Sequence, residues 1–327
     1  MKYLRGHPSL LAVQAFGMQS GLLEESVKRQ EFFVYQKDRF VMEKNYRAEI
    51  TGVFGDPVEG NPTGVMEEAA YEAMGLNFRY ITMKVTPDGF PDAMRAVRAL
   101  HMKGVNLTMP HKIAVIPYLD ELSEAASIIG AVNTVVVRED GSLFGENTDG
   151  KGFIEALLRY GNHPGGKNIT ILGAGGAARA IAVECALAGA AKITVVNRTG
   201  ARAQELAGLI REKTQVPADA IEWTHGLEIP SGTDILINAT SIGLGDDREN
   251  KPDIRYDTIT PDMTVSDVVF NPSNTLFLQE ASGRGAKTVN GLGMLACQGA
   301  RNFTLWTGVD APLDVMIGKL KEEFGEV

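Results

Sequence analysis

The sequence predicts an α/β protein in two domains. Three observations carry this. The chain has 327 residues, about twice the usual size of one domain. From about residue 48, apolar strand-like runs alternate with helix-like ones, the signature of sheets crossed over by helices. At Gly173–Ala180 a glycine-rich turn, GAGGAARA, joins an apolar strand to a helix.

Taken in order, LLEESVKRQEFF near the start reads as an amphipathic helix within a segment, 1–47, that carries no chemical motif. AEITGVFG is a strand ending in a glycine turn, and NPTGVMEEAAYEAMG is a helix with Pro near its start and Gly at its end. FRYITMKV alternates as a strand does, and GFPDAMRAVRALHM has helical spacing. GVNLTM is a short apolar strand and HKIAVIPYL a helix, while AVNTVVVRED and SLFGENT pair around a Glu-Asp-Gly turn. These strands imply a mostly parallel sheet. DGKGFIEALLRYG is a linking helix and NHPGGKN a loop. NITILGAGGAARAIAVECALAGA then gives strand, turn and helix, followed by strand KITVVNR and helix RAQELAGLIREK. TDILINAT and TVSDVVF are buried strands, NTLFLQEASGRG is a helix, and GMLACQGARNFTLWTG and LDVMIGKLKEEFG close the chain as helices.

Composition removes several function classes. A net charge of −9 argues against a nucleic-acid partner, which calls for a basic face, yet leaves room for a small anion held by a few local cations. Cys185 and Cys297 sit in helix-like, small-residue settings, as buried free thiols of a reducing compartment do, and no spacing suggests a metal site. No apolar run reaches the roughly 18–20 residues needed to span a bilayer, so no membrane role is expected. Lys2 and Arg5 precede SLLAVQAFGM, but that apolar core is short, Gln14 interrupts it and no clean cleavage site follows. The expectation is a cytoplasmic protein acting on a small molecule, as monomer or homodimer.

Glycines after an apolar strand permit a tight turn and close approach of backbone to a pyrophosphate, and the helix N-terminus beyond offers free N–H groups to that anion. Gly173, Ala174, Gly175, Gly176 and Ala177 occupy that turn. The next strand ends at Asn197-Arg198-Thr199, with Arg202 one turn on. A site for NAD usually has an acidic residue there, to bind the ribose 2′-hydroxyl. A guanidinium suits a 2′-phosphate instead, so NADP is expected over NAD. The second domain is therefore read as a doubly wound Rossmann-type NADP-binding domain and the first as an open α/β substrate-binding domain.

Three polar strings end apolar strands of the first domain: NLTMPHK (Asn106 to Lys112), GAVNT (Gly130 to Thr134) and GENTDG (Gly145 to Gly150). Ligands bind beyond the carboxyl ends of strands in such sheets, which puts Thr108, Lys112, Asn133 and Asp149 on one rim. Transfer of hydride between an alcohol and NADP requires one proton to move at the oxygen, a task a lysine beside it performs with a carboxylate to fix it. By themselves a Lys and an Asp so far apart are better read as a surface cation and a helix cap, since Asp149 precedes a helical pattern.

In their order, FGDP, NLTMPHK, GAVNT, GENTDGKG, GAGGAAR, NRT, INATSIG, DVVF and GLGMLACQ closely resemble the motifs of the shikimate/quinate dehydrogenase family, over roughly residues 48–310. The resemblance implies an NADP-dependent dehydrogenase interconverting a ring hydroxyl and ketone of shikimate/3-dehydroshikimate or a close analogue such as quinate. It implies Lys112 as acid/base and Asp149 as its partner and a ligand to substrate hydroxyls. Asn61, Thr63, Thr108, Asn133, Phe270 and Gln298 would contact substrate. Gly173 to Ala177 would cradle the pyrophosphate, and Asn197, Arg198, Thr199 and Arg202 would hold the adenosine ribose phosphate. Thr240, Val268 and Gly291 would complete the cofactor site, the last two at the nicotinamide. The final helices would pack back on the first domain, giving 1–149 with 291–327 as one domain and 150–290 as the other.

The match departs from the family at three places. The family binds the substrate carboxylate with Ser-x-Ser; here those positions hold Asn61 and Thr63, which still offer an amide and a hydroxyl. Phe270 stands where Tyr is common, and Asn290 where Asp is frequent. Loss of an expected hydrogen bond shifts specificity strongly, so the departures bear on which acid is used, with the Thr favouring a quinate-like one. Two alternatives stay open: another small hydroxy acid on the same scaffold, or a non-catalytic NADP-binding homologue, which would have little reason to keep both Lys112 and Asp149.

Overall fold

A computed structural model describes residues 45–326. The expected leading helix and the leader-like stretch at 1–20 lie outside the described residues.

The first part of the chain runs β1 (Glu49–Gly55), α1 (Thr63–Ala73), β2 (Phe78–Lys84), α2 (Phe90–Ala99), β3 (Gly104–Leu107), α3 (His111–Ala114), β4 (Glu121–Leu122), α4 (Glu124–Ile129), β5 (Thr134–Val137), β6 (Leu143–Glu146) and α5 (Thr148–Arg159). Its six strands lie in the order β2-β1-β3-β5-β6-β4. β1 is parallel to β2 and β3, but β5 runs antiparallel to both β3 and β6. β4 is parallel to β6, so β5 alone runs against the other five strands, and the expectation of a mostly parallel sheet holds. The short connection at Glu139-Asp140-Gly141 makes β5 and β6 a hairpin, and a hairpin is antiparallel by construction. HKIAVIPYL is not one helix: α3 gives way to a 3-10 turn at Ile116–Tyr118, where Pro117 lacks the N–H that a continuing helix needs.

The second part runs β7 (Asn168–Leu172), α6 (Gly176–Leu187), β8 (Lys192–Asn197), α7 (Gly200–Thr214), β9 (Ala218–Glu222), β10 (Ile235–Asn238), β11 (Thr264–Asp267), α8 (Leu276–Gly283) and β12 (Lys287–Val289). All pairings are parallel, in the order β12-β11-β10-β7-β8-β9. The strand order reverses between β7 and β10, the switch point where such sheets open a crevice. NITIL and ILIN read as unbroken apolar runs because helices cover both faces. The edge strands β9 and β12 were not expected. They are short and carry Asp219, Glu222 and Lys287, since one side of an edge strand faces water.

Two long helices join the halves: α5, which follows the first sheet, and α9 (Gly291–Thr307), followed by α10 (Leu313–Glu323). They cross so closely that a Cβ on Gly152 would lie 2.6 Å from the backbone N of Gln298, so no larger residue fits there without a shift. Met66 and Tyr71 of α1, Phe303 and Trp306 of α9 and Met316 of α10 share one buried core, and Trp306 Nε1 donates to the carbonyl of Val135 on β5 at 3.0 Å. The final helices thus return to the first sheet. Cys185 and Cys297 are buried free thiols.

Candidate active site

Lys112 is placed by the turn that follows β3. The carbonyl of Lys112 accepts from the N–H of Val132 at 2.8 Å, tying α3 to the segment entering β5. Asn133, at the end of that segment, is buried. Its Nδ2 donates to Asp149 Oδ1 at 2.8 Å and its Oδ1 accepts from the N–H of Thr148 at 2.8 Å. Lys112 Nζ lies 2.6 Å from Asp149 Oδ2. Asp149 therefore does not cap α5. It sits inside the first turn, with Asn147 at the cap position, and both carboxylate oxygens are committed to Lys112 and Asn133. The ammonium is anchored at one end and about a third exposed, so it still faces solvent and ligand.

A cavity of about 240 Å³ opens at this rim. Asn61, Thr63, Thr108, Lys112, Asn133, Asp149, Phe270 and Gln298 all line it, so every residue expected to move a proton or touch substrate borders one space. From the second half, Ala177, Val268 and Gly291 line it too. Asn106, Met294 and Leu295 also contribute, and were not singled out. Asn106 opens the NLTMPHK string and was legible there. Asn302, equally unforeseen, is a buried hub whose Oδ1 accepts from Thr134 and Thr148 and whose Nδ2 donates to Gln298 Oε1 at 3.1 Å and Asn106 Oδ1 at 3.3 Å. It stands one helical turn beyond Gln298, the only sequence signal it carried. A larger cavity of about 430 Å³ lies behind α5 and α9, but Lys151 pairs with Glu184 at 2.7 Å and Arg301 with Glu155 at 3.1 Å, leaving no uncommitted cation among its lining.

The remaining expected residues lie along the carboxyl edge of the second sheet, outside the 240 Å³ cavity. Gly173 leaves β7 with φ +114°, a conformation that favours glycine, and a Cβ there would stand 2.9 Å from the carbonyl of Ala239. Ala174 and Gly175 complete the turn, and α6 begins at Gly176 with no side chain capping its N-terminus. Its first N–H groups therefore remain available to an anion. Thr240 follows β10 beside Gly173 and donates to Asn238 Oδ1 at 2.7 Å. At the end of β8, Asn197 Nδ2 donates to the carbonyl of Thr199 at 3.0 Å. Arg198 and Arg202 are exposed and form no ion pair among the described residues. An uncapped helix start at a glycine turn, with two uncommitted guanidinium groups one strand away, fits a dinucleotide bearing a further phosphate.

Asp267, at the end of β11, is buried and accepts from Asn238 Nδ2 at 2.9 Å, the N–H of Val269 at 3.0 Å and Thr275 Oγ1 at 2.7 Å. Burial outweighs these donors and pushes its carboxyl up to about 6. The folded chain thus holds this proton more tightly than the unfolded one, and the contribution to stability, on the order of 2–3 kcal/mol, is complete below about pH 4 and lost as pH rises through about 6. Asp267→Asn is expected to flatten the dependence of Tm on pH across that window, as read by thermal melts from pH 4 to 7. An unchanged slope would assign the dependence to other groups.

A parallel sheet in this strand order, with a glycine turn at its switch point and facing a cavity that holds a lysine–aspartate pair, defines a two-sheet oxidoreductase of the dinucleotide-binding class. The comparisons with known proteins specify it. Residues 53–135 match the shikimate dehydrogenase substrate binding domain, 158–243 match shikimate / quinate 5-dehydrogenase, and 291–321 match the shikimate 5′-dehydrogenase C-terminal domain. The chain belongs to the shikimate dehydrogenase family. It is 43% identical over 282 residues to a shikimate dehydrogenase (NADP(+)) of Desulforamulus reducens, covering 85% of this chain and 97% of that protein. Among solved structures, the ligand-free 5-ketofructose reductase of Gluconobacter sp. strain CHM43 is 46% identical with a TM-score of 0.83, covering 86% of this chain and 100% of that one. A shikimate dehydrogenase in complex with NADP+ is 39% identical with a TM-score of 0.78, covering 86% and 97%.

Proposed function

We propose that this protein is an NADP-dependent oxidoreductase that interconverts a ring hydroxyl and ketone of shikimate/3-dehydroshikimate or a close analogue such as quinate. The observation that carries the reading is the 2.6 Å Lys112–Asp149 pair in a cavity that Ala177, Val268 and Gly291 line from the nucleotide side. NADP, when bound, supplies or accepts the hydride. Lys112 gives a proton to the carbonyl oxygen in reduction and takes it back in oxidation. Asp149 holds the ammonium in place and receives substrate hydroxyls, while Asn133 fixes the carboxylate that does so. Thr108, Gln298, Asn61, Thr63 and Phe270 shape the substrate's surroundings. Gly173 to Ala177 receive the pyrophosphate, Asn197, Arg198, Thr199 and Arg202 the ribose phosphate, Val268 and Gly291 the nicotinamide, and Thr240 completes the cofactor site.

We read residues 1–149 with 291–327 as the substrate-binding domain, with 1–47 an N-terminal extension of no assigned role, and 150–290 as the NADP-binding domain. The return of α9 and α10 to the first sheet supports that division. Among the described residues no helix is long and apolar enough to cross a membrane, consistent with action in the cytoplasm, as monomer or homodimer. The test is NADPH formation or consumption with shikimate, quinate and their ketones, NAD run in parallel and 5-ketofructose added as a neutral compound. Turnover with NADP that disappears in Lys112→Ala is the expected result. NADP binding without turnover of any compound would overturn it.

A further inference from the structure

Resting on the hydroxyl–ketone chemistry proposed above, we infer that this cavity takes neutral polyhydroxylated ketones, sugar-like ketones without a carboxylate, in preference to ketone acids. The argument begins with charge. Among the described residues Lys112 is the one cation lining the cavity, and it is held 2.6 Å from Asp149, so that lining carries no net charge to set against an anion. A carboxylate taken out of water without a paired cation or several directed donors carries a large desolvation penalty.

Asn61, Thr63 and Phe270, all on the lining, supply few such donors. Asn61 spends its Oδ1 on the N–H of Thr63 at 3.0 Å, leaving its amide NH₂ and the Thr63 hydroxyl. Phe270 offers only a ring, packed 5.6 Å from that of Phe324. One helical turn beyond Thr63, Glu67 is fully buried, and neither carboxylate oxygen has a hydrogen-bond partner. Burial pushes this carboxyl well above the usual range, against a lowering influence from Tyr71, and the neighbouring Glu68 acts in the same direction as burial. The wall behind Thr63 thus offers an anion no counter-charge. Hydroxyls suit the same surface, because each both donates and accepts, as do the amide and hydroxyl groups of Asn61, Thr63 and Thr108. In the reduction, the carbonyl carbon receives hydride from the reduced nicotinamide cofactor and the oxygen receives a proton from Lys112. The products are the alcohol and the oxidised cofactor.

The experiment uses the full chain and NADPH, comparing kcat/KM for a neutral hexose diketone with that for 3-dehydroshikimate and 3-dehydroquinate. The neutral ketone is expected to exceed both acids by at least about tenfold. In the variant Asn61→Ser/Thr63→Ser/Phe270→Tyr, which places hydroxyl donors at these three lining positions, the ratio is expected to move towards the acids by about tenfold or more. An acid turned over as well as or better than the neutral ketone overturns the inference and leaves the proposed function standing. A ratio that does not move in a variant retaining turnover overturns it as well. Loss of turnover with every ketone, in wild type, overturns both.

Discussion

Lys112→Ala is expected to lower kcat by about 10²–10⁴-fold, the usual contribution of a positioned proton donor, while leaving the affinity for NADP within about twofold. The asymmetry follows from the geometry. Lys112 stands on the first-sheet rim, whereas the groups suited to the dinucleotide line the carboxyl edge of the second sheet. Asp149→Asn tests the other half of the pair. The change removes the negative charge 2.6 Å from Lys112 while its amide oxygen can still accept from Asn133, so kcat should fall with little change in the melting temperature. Steady-state kinetics beside fluorescence titration of NADPH separate these effects. A loss of cofactor affinity as large as the loss of turnover would place Lys112 in the nucleotide site instead.

Arg198→Ala combined with Arg202→Ala should raise KM for NADP by about tenfold to a hundredfold and leave KM for NAD nearly unchanged. Each charge-assisted hydrogen bond to a phosphate contributes about 1.5–3 kcal/mol, discounted here because both side chains are exposed. Both are uncommitted among the described residues, so no internal ion pair is lost and stability should be untouched. The loss should shrink as salt concentration rises, since exposed charges are screened. Equal weakening of NAD and NADP would mean that the guanidinium groups contact the pyrophosphate or adenine and do not read the 2′-phosphate.

Much of this molecule was legible before any coordinates. The apolar runs of β7 and β10, the glycine turn into α6 and the Arg198 position at the end of β8 are local patterns, fixed by residues close in the chain. Their physical causes, continuous burial, permissive φ and a free helix start, act over one or two turns. The short edge strands β9 and β12 escaped because polar three- to five-residue segments lack a distinctive period, and their pairing depends on a neighbour supplied from elsewhere in the chain. The one reversed strand of the first sheet, β5, followed from a hairpin that the sequence did announce.

The sequence by itself determined which chemical groups exist and on which local elements they stand: a lysine after one strand, an aspartate at the start of a helix, a glycine turn before another. Only the tertiary structure decided which of them meet. The Lys112–Asp149 contact and the union of Asn106, Thr134 and Thr148 through Asn302 join residues far apart in the chain. Such meetings are set by strand register and by the close crossing of α5 and α9 at Gly152, and these are properties of packing, to which no single local segment holds the key.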